Sequence, residues 1–285
     1  MKIDFVIPYV DNKDKVWLQT YIDYFTKRKM PQKLVDLHTE RYEDIGLINY
    51  QLKLVERNMQ FINNVFLLLS NVEQKPKDLP SFVKVVLHKD FIPNKYLPTF
   101  NSTTIEMFLW NIQELGEYFI YANDDMLPCL PMSESDFFGN DKIKIRFSGE
   151  NIKAKISTQF RLQCLNSFQH VADRLHIPHG KYNFIKPLHS FTPMRKSHCK
   201  ECYSLLEDLI LPNIRAYRTD YQHNQYIYPI YELLKYGTLD STIDFHYTEV
   251  RLEEKIDLNH QIVCINKVPT RREKELKGEL DKICK

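Results

Sequence analysis

Two adjacent carboxylates, Asp124 and Asp125, follow the wholly apolar run YFIYA at residues 118–122. A short run without polar residues predicts a strand that is covered on both faces. In open α/β sheets, ligands bind at the carboxyl ends of the strands, and paired carboxylates can hold Mg²⁺ on a diphosphate. Because Asp pairs also form turns and helix caps, the pair alone leaves both interpretations open.

The elements before this pair alternate between strand and helix patterns. Apolar runs at residues 3–10, 65–69 and 83–87 predict three further buried strands, and residues 17–25 predict a helix. Two helical stripes complete the set, one through Ile48, Leu52, Val55 and Met59, the other through Ile105, Leu109, Ile112 and Leu115. Thr103 and Glu106 have capping-box spacing at the start of the second stripe. This order predicts an α/β fold with a doubly wound, mainly parallel sheet that is Rossmann-like or GT-A-like.

The pattern changes after residue 126. Residues 127–185 carry an apolar-basic alternation, KIKIRF, that predicts a strand or hairpin, and we interpret this stretch as an inserted α+β region. Helical runs follow at 202–214 and 225–237, the second ending at Gly237 as a natural C-cap. The tail from Thr270 predicts a mixed-charge helix docked on the core, with a membrane-surface helix as the alternative. The predicted division is therefore 1–126, 127–185 and 186–285.

Composition excludes several classes of protein. A formal charge of +2 over 285 residues gives no field that would favour nucleic-acid binding. The first predicted loop has no glycine, so neither a P-loop nor a dinucleotide fingerprint is present. The N-terminus enters a strand without a signal-peptide pattern, which predicts a cytoplasmic protein whose six cysteines stay reduced. We interpret the CxxC formed by Cys199 and Cys202 as ordinary thiols, since no second CxxC follows with zinc-site spacing.

Four blocks occur in a fixed order. They are IDFVIPYVDNKDKVW at 3–17; RYEDIGLINYQLKLVERNMQFINNVFLLLSN from 41, with VVLHKDFIP, LPTFNSTTIE and FIYANDD; KPLHSFTPMRKS at 186–197 with AYRTDYQ at 216–222; and IVCINK at 262–267. With these blocks the chain resembles the Stealth proteins, capsular polysaccharide phosphotransferases related to the enzyme that adds N-acetylglucosamine-1-phosphate to lysosomal glycoproteins. The fourth block departs from the family, because it ends in CINK where an Asn-Asp pair is common.

The resemblance implies transfer of a sugar-1-phosphate from a nucleotide-diphosphate sugar to a hydroxyl of an oligosaccharide or polysaccharide, including a lipid-linked one. The family's proposed catalytic positions fall on Glu106, Asp125, His189 and Arg218. Asp124 and Asp125 are then expected to bind Mg²⁺ or Mn²⁺. Asp11, Arg41, Asn101 and Lys186 are expected to bind substrate. Residues 1–126 would bind the nucleotide sugar, 127–185 would face the acceptor, and 186–285 would complete the site. Peripheral association with membrane capsule machinery also fits this role.

Each candidate residue also has a structural interpretation. Glu106 could be only the third residue of a capping box, and Asp125 only a turn residue. A neutral His189 imidazole could accept the proton of the acceptor hydroxyl, although a lone histidine is more often structural. Arg218 suits bidentate phosphate contact but could instead pair with Asp220 on the surface. Capping and turn formation are the alternative for Asp11, Arg41 and Asn101.

Two other functions remain open from the sequence. A GT-A glycosyltransferase also ends a nucleotide-binding sheet on metal-binding carboxylates, but it cleaves the bond between C1 and oxygen and releases a nucleoside diphosphate. A catalytically inactive scaffold of a capsule assembly complex is the third hypothesis. The conjunction of Glu106 and Asp125 with His189 and Arg218 favours the phosphotransferase over both.

Overall fold

A computed structural model describes residues 1–29, 42, 44–151 and 158–285, with the backbone alone at 151. Its strands are β1 Ile3–Pro8, β2 Ile62–Leu69, β3 Val83–Leu87, β4 Tyr118–Tyr121, β5 Met126–Pro128, β6 Phe138–Gly139, β7 Lys142–Ile143, β8 Phe147–Asn151, β9 Asn183–Pro187, β10 Thr192–Arg195, β11 Phe245–Glu249 and β12 Ile262–Asn266. Its helices are α1 Lys15–Lys27, α2 Leu47–Asn58, α3 Ser102–Glu106, α4 Gln159–Arg174, α5 Lys196–Ile210, α6 Ile227–Lys235 and α7 Thr270–Ile283.

The central sheet has five strands in the order β10-β4-β1-β2-β3. Strands β4, β1, β2 and β3 run parallel to one another. The edge strand β10 runs antiparallel to its neighbour β4. The chain moves from β1 to β2 and β3 on one side and then returns to β4 on the other. The order therefore reverses between β1 and β4, where an open α/β sheet forms its ligand crevice. The predicted α/β fold with a mainly parallel sheet is confirmed; its GT-A likeness stays a prediction.

Apolar side chains cover the sheet on both faces. Alternate residues of the strands point to opposite faces, so Val6 and Tyr121 pack into a cluster with α4, α5 and α6, while Phe5 and Ile120 pack into a cluster with α2. The YFIYA run is apolar throughout because its strand is buried on both sides. Both clusters anchor the carboxyl ends of β1 and β4.

The helix predicted from Thr103 is much shorter than its apolar stripe suggests. Asn101, not Thr103, is the N-cap of α3, because its side-chain oxygen accepts from the Thr103 N–H at 3.2 Å. The Met107 carbonyl accepts from the Trp110 indole at 3.1 Å and from the Tyr228 hydroxyl at 2.9 Å, so side chains take the acceptor that a longer helix would use. A 3₁₀ turn follows instead. The capping-box interpretation of Glu106 is therefore wrong.

Helix α4 is the longest element that the sequence did not predict; strands β5, β9, β10, β11 and β12 were not predicted either. The buried face of α4 includes the polar Gln163 and Ser167. Gln163 donates to the Thr219 carbonyl at 2.9 Å, and Ser167 donates to the Gln163 carbonyl at 2.7 Å. The partners of these polar side chains come together only in the folded chain. In the sequence, polar residues on the buried face interrupt the apolar periodicity from which a helix is predicted. The strand or hairpin expected at KIKIRF corresponds to β7, which forms a hairpin with the preceding β6, and to the first residue of β8.

A second, three-stranded sheet stands beside the Asp pair. In it β12 runs parallel to β11 and antiparallel to β5, which begins directly after Asp125. Helix α7 packs Leu276 and Leu280 against this sheet and α2, which confirms a C-terminal helix docked on the core. Gly237, at φ 76°, follows the C-cap of α6 as predicted. In the described ranges no helix has the length and apolar character needed to cross a bilayer.

Candidate functional site

The Asp pair occupies the point where the strand order reverses. The Asp124 carboxylate accepts a hydrogen bond from the backbone of Val10, just beyond β1. Asp125 instead turns toward the second sheet, where Asn266 donates its amide to Oδ2 at 2.9 Å. From α2, Gln51 donates to the carbonyls of Asn123 and Met126 at 2.8 and 2.7 Å and so fixes the loop that carries the pair. Asp124 therefore contacts the end of β1 and Asp125 contacts β12. We call the region between these strand ends the crevice, because the reversal of strand order places a ligand site there.

The electrostatics of the pair favour a cation. Burial, and then the charges of Asp125 and Asp44, raise the pKa of Asp124 well above its ordinary value. Burial likewise raises the pKa of Asp125 to about 6. Within the described ranges, Oδ1 of Asp125 is buried without a hydrogen-bond partner. A bound cation would relieve both the repulsion and the unpaired oxygen.

Two overlapping donor sets could hold that cation. Asp124 and Asp125 offer oxygen ligands, which suit Mg²⁺ or Mn²⁺ when a diphosphate supplies the remaining oxygens. Ligand atoms of Asp125, His189 and Cys264 also lie within 4.8 Å of one another. That mixed oxygen, nitrogen and sulfur set suits softer metals such as Zn²⁺. His189 and Asp125, 64 residues apart in sequence, are thus neighbours in the fold.

His189 is held by a buried tyrosine. Its Nδ1 lies 3.0 Å from the hydroxyl of Tyr226, which is completely buried. In the part of the chain that the structure describes, this hydroxyl has no other hydrogen-bond partner, which favours donation to Nδ1 and therefore the neutral tautomer with its proton on Nε2. Burial and the charges of Lys186 and Arg218 lower the pKa of His189 to about 4, so the ring is neutral at pH 7.

Glu106 lies beneath the crevice and is only 2% exposed. Its Oε1 accepts from the Tyr121 hydroxyl at 3.2 Å, and its Oε2 accepts from the Gln225 N–H at 2.8 Å. Burial raises the pKa of this carboxyl, and the nearby Arg218 charge is the largest opposing effect. Because it is buried, the Glu106 carboxylate can position neighbouring residues more readily than it can contact a substrate.

Two basic residues complete the surroundings. Arg218 is exposed and donates to the Ser102 hydroxyl at 2.8 Å, and its charge acts on both Glu106 and His189. In the described ranges Arg218 forms no ion pair with Asp220, the partner that the alternative interpretation gave it. Lys186 lies 3.7 Å from Glu150 and also acts on His189. The four predicted catalytic residues therefore converge, as Asp125 with His189 and Glu106 with Arg218.

Three of the predicted substrate-binding residues, Asn101, Asp11 and Arg41, lie in different surroundings. Asn101 is completely buried, and its amide nitrogen lies 3.1 Å from the carbonyls of Arg215 and Tyr217. The capping interpretation of Asn101 is confirmed, and substrate binding by this buried residue stays a prediction. Asp11 follows β1 and accepts from the Lys13 N–H at 2.9 Å as a turn residue, with its carboxylate still partly exposed near the crevice. Arg41 lies outside the described residues.

Sequence reasoning missed several residues of this site, Cys264 among them. Asn266 fixes Asp125, Tyr226 fixes His189, and Asp44 receives the Tyr9 hydroxyl at 2.8 Å while its charge acts on Asp124. Asn266 and Asp44 stand inside blocks four and two, so their positions were visible although their partners were not. Tyr226 stands in none of the four blocks and gave no signal.

Comparison with known proteins supplies the chemical context. Residues 41–146 match the sequence profile of Stealth protein conserved region 2. A capsular polysaccharide phosphotransferase of Neisseria meningitidis serogroup B is 32% identical over 217 residues, or 73% of this chain and 57% of that protein. One from Streptococcus thermophilus is 38% identical over 148 residues, or 50% of this chain and 60% of that protein. Another from Neisseria meningitidis is 30% identical over 231 residues, or 78% of this chain and 62% of that protein. The chain thus spans between 57% and 62% of the length of these relatives.

Proposed function

The chain belongs to the Stealth family, and from that premise we propose that it transfers a hexose-1-phosphate from a nucleotide-diphosphate sugar to a polysaccharide hydroxyl. The hydroxyl oxygen forms a bond to the β-phosphorus as the pyrophosphate bond breaks, the nucleoside monophosphate leaves, and the hydroxyl proton is released to solvent. The product is a phosphodiester in a capsular or other cell-surface polysaccharide. The observation that carries this proposal is the convergence of Asp125, one member of the Asp pair, with His189 at the reversal point of the sheet.

The Asp pair is the proposed cation and diphosphate site. Asp124 and Asp125 would hold Mg²⁺ or Mn²⁺, which when bound neutralises charge on the diphosphate oxygens. Asp124 borders the β1 loop and Asp125 borders the second sheet. We therefore place the nucleotide on the side of β1, with Asp11 nearby, and the hydroxyl that attacks on the side of β12.

Arg218 and Lys186 would bind the phosphoryl oxygens. Phosphoryl transfer passes through a loose transition state and depends mainly on positioning and charge stabilisation. An exposed guanidinium near a buried carboxylate is suited to both, because the Ser102 hydroxyl accepts its hydrogen bond and the charge of Glu106 attracts it without neutralising its outer face. We assign Glu106 as the positioning residue for Arg218.

The role of His189 depends on the direction of its hydrogen bond. To act as the general base expected from sequence, Nε2 must be free of a proton, and the buried Tyr226 hydroxyl would then lack an acceptor. An unsatisfied buried group of this kind costs about 1–3 kcal/mol. We therefore propose that His189 donates Nε2–H to an oxygen of the transferring phosphoryl group, which stabilises charge as it develops.

The by-product of the reaction tests the proposal. Purified protein is incubated with UDP- and GDP-sugars, Mg²⁺ and oligosaccharide acceptors, and the released nucleotides are resolved chromatographically. We expect nucleoside monophosphate in step with product, and no release by Asp125→Asn. The exposed Asp208 on α5 provides the matched control, because Asp208→Asn should keep the wild-type rate. Stoichiometric nucleoside diphosphate would instead assign the site to a glycosyltransferase.

A further inference from the structure

Two exposed aromatic rings lie at the edge of the site. Tyr247 on β11 is 44% exposed and Phe160 at the start of α4 is 41% exposed. Large aromatic side chains normally bury most of their surface, so exposed rings beside a reactive centre indicate a surface that a ligand covers.

The two rings contact the two members of one hydrogen-bonded pair. The Tyr247 ring lies edge-on to His189, with centroids 6.2 Å apart. The Phe160 ring lies edge-on to Tyr226 at 6.0 Å, and the Tyr226 hydroxyl bonds His189. A molecule resting on either ring would therefore lie close to the imidazole.

Their place in the fold separates them from the nucleotide side. Tyr247 pairs with Cys264 in the register of β11 and β12, and Cys264 adjoins Asp125. The β1 loop, in contrast, borders Asp124 through Val10. Tyr247 thus belongs to the side of the crevice where the attacking hydroxyl is proposed to lie, and Phe160 is linked to that side through Tyr226 and His189.

Carbohydrate is the ligand chemistry that fits this surface. A pyranose presents a face of C–H groups that packs on an aromatic ring, while its hydroxyls hydrogen-bond to polar groups around the ring. Glu249, with its partners Arg251 and Lys267 at 2.9 and 2.8 Å, lies two residues from Tyr247 on the same face of β11 and supplies such groups. Exposed aromatic rings with polar groups beside them are suited to sugar units more than to a charged diphosphate.

We propose that Tyr247 and Phe160 form a carbohydrate-binding platform that holds the acceptor saccharide with its reacting hydroxyl at His189. The identity of this ligand as the acceptor rests on the proposed function, whereas the binding of saccharide does not. Tyr247 adjoins His189 directly and would hold the reacting sugar unit. Phe160 would hold a neighbouring unit of the same chain.

Direct binding measurements test the platform without turnover. Wild type, Tyr247→Ala, Tyr247→Phe and Phe160→Ala are titrated with hexose and N-acetylhexosamine oligosaccharides, with saturation-transfer NMR and calorimetry as readouts. Tyr182, 39% exposed and in ring contact with neither His189 nor Tyr226, gives the matched control Tyr182→Ala. We expect Tyr247→Ala to weaken saccharide binding about three- to tenfold and Phe160→Ala by a similar or smaller factor. Tyr247→Phe and Tyr182→Ala should bind as wild type does.

Three outcomes would overturn the platform: unchanged saccharide binding by Tyr247→Ala, weakened binding of the nucleotide sugar in its place, or no oligosaccharide binding by wild type. Thermal melting of each variant shows whether it is folded. A failure of the proposed function would give a different experimental result from a failure of the platform. If saccharide binding depends on Tyr247 but turnover releases nucleoside diphosphate, the platform stands and the phosphotransfer proposal falls.

Discussion

Asp125 combines a buried unpaired oxygen with a raised pKa, and this combination makes its protonation sensitive to a cation. An unfolded aspartate has a pKa of about 3.9, whereas that of folded Asp125 is about 6. Between these values the metal-free folded protein binds more protons than the unfolded chain, so its stability falls as pH rises through this window. A cation on the carboxylate removes that loss.

We therefore predict that Mg²⁺ raises the melting temperature more at pH 8 than at pH 5, where protons compete for the carboxylates of Asp124 and Asp125. Differential scanning fluorimetry with and without Mg²⁺ measures the difference. Asp125→Asn should lose most of the Mg²⁺ effect at pH 8, while Asp208→Asn should retain it. An equal Mg²⁺ shift at both pH values would count against a cation site at this pair.

Substitution of His189 distinguishes a hydrogen-bond donor from a general base. A glutamine amide can donate from a position near that of Nε2 but cannot accept a proton at pH 7. His189→Ala should lower turnover about 10²- to 10³-fold, the usual effect of removing one donor to a developing oxyanion. His189→Gln should restore a measurable part of that loss. If both variants are equally inactive while they melt like wild type, the base assignment is the better one.

The positions and contacts of the site residues were only partly predictable from the sequence. The position of the Asp pair followed from the apolar run before it, because side chains after a buried strand must reach the sheet edge. The partners of the pair did not follow. Tyr226 bonds a residue 37 positions away, and Asn266 bonds one 141 positions away, and neither separation has a local pattern.

At the scale of elements, Asn101 joins α3 to the loop that carries Arg218. Its oxygen caps the helix, while its amide faces the carbonyls of Arg215 and Tyr217. The positions of Glu106 on α3 and of Arg218 in the loop therefore both depend on the buried side chain of Asn101.

We predict that Asn101→Ala lowers the free energy of unfolding by about 1–3 kcal/mol, from the lost cap and the unpaired carbonyls. Asn101→Asp should destabilise the protein more, because it keeps the cap oxygen but replaces the donor with a second acceptor facing carbonyl oxygens. Urea titration measures both. The exposed Asn94 gives the control Asn94→Ala, which should change stability by less than about 0.5 kcal/mol. A milder effect of the aspartate than of the alanine would contradict this account of Asn101.

Element prediction succeeded where periodicity was simple and failed where side chains overrode it. Strand β3 has the predicted bounds, and β1, β2 and β4 differ from prediction by a few residues at their ends. Helix α3 ended early because side chains of Trp110 and Tyr228 took a backbone acceptor. Helix α4 escaped prediction because buried polar residues obscured its apolar face.

At the scale of the whole molecule, the site is assembled from distant parts of the chain. The Asp pair comes from the first sheet, His189 from the segment before β10, and Asn266 from the end of β12. One apolar cluster takes Val6, Cys164 and Met194 from all three predicted sequence regions. The boundaries at 126 and 185 stay predictions, and packing across them explains why no single region holds the complete site.

Asn266 provides the test of this assembly. Groups that orient a metal ligand typically contribute 10- to 100-fold in metal affinity or activity. Asn266→Ala should therefore raise the Mg²⁺ concentration needed for half-maximal rate by about that factor, with little loss of stability. The exposed Asn259 before β12 gives the control Asn259→Ala. A variant with wild-type Mg²⁺ dependence would mean that the C-terminal strand does not support the cation site.

The fate of the β-phosphorus tests the central claim most directly. A nucleotide sugar labelled with ³²P at the β position is incubated with the protein, Mg²⁺ and an oligosaccharide acceptor, and label is counted in the saccharide and nucleotide fractions. Phosphotransfer at the Asp pair predicts one ³²P in the saccharide for each sugar transferred, and unlabelled nucleoside monophosphate. Sugar transfer that leaves all of the ³²P in nucleoside diphosphate would contradict the account.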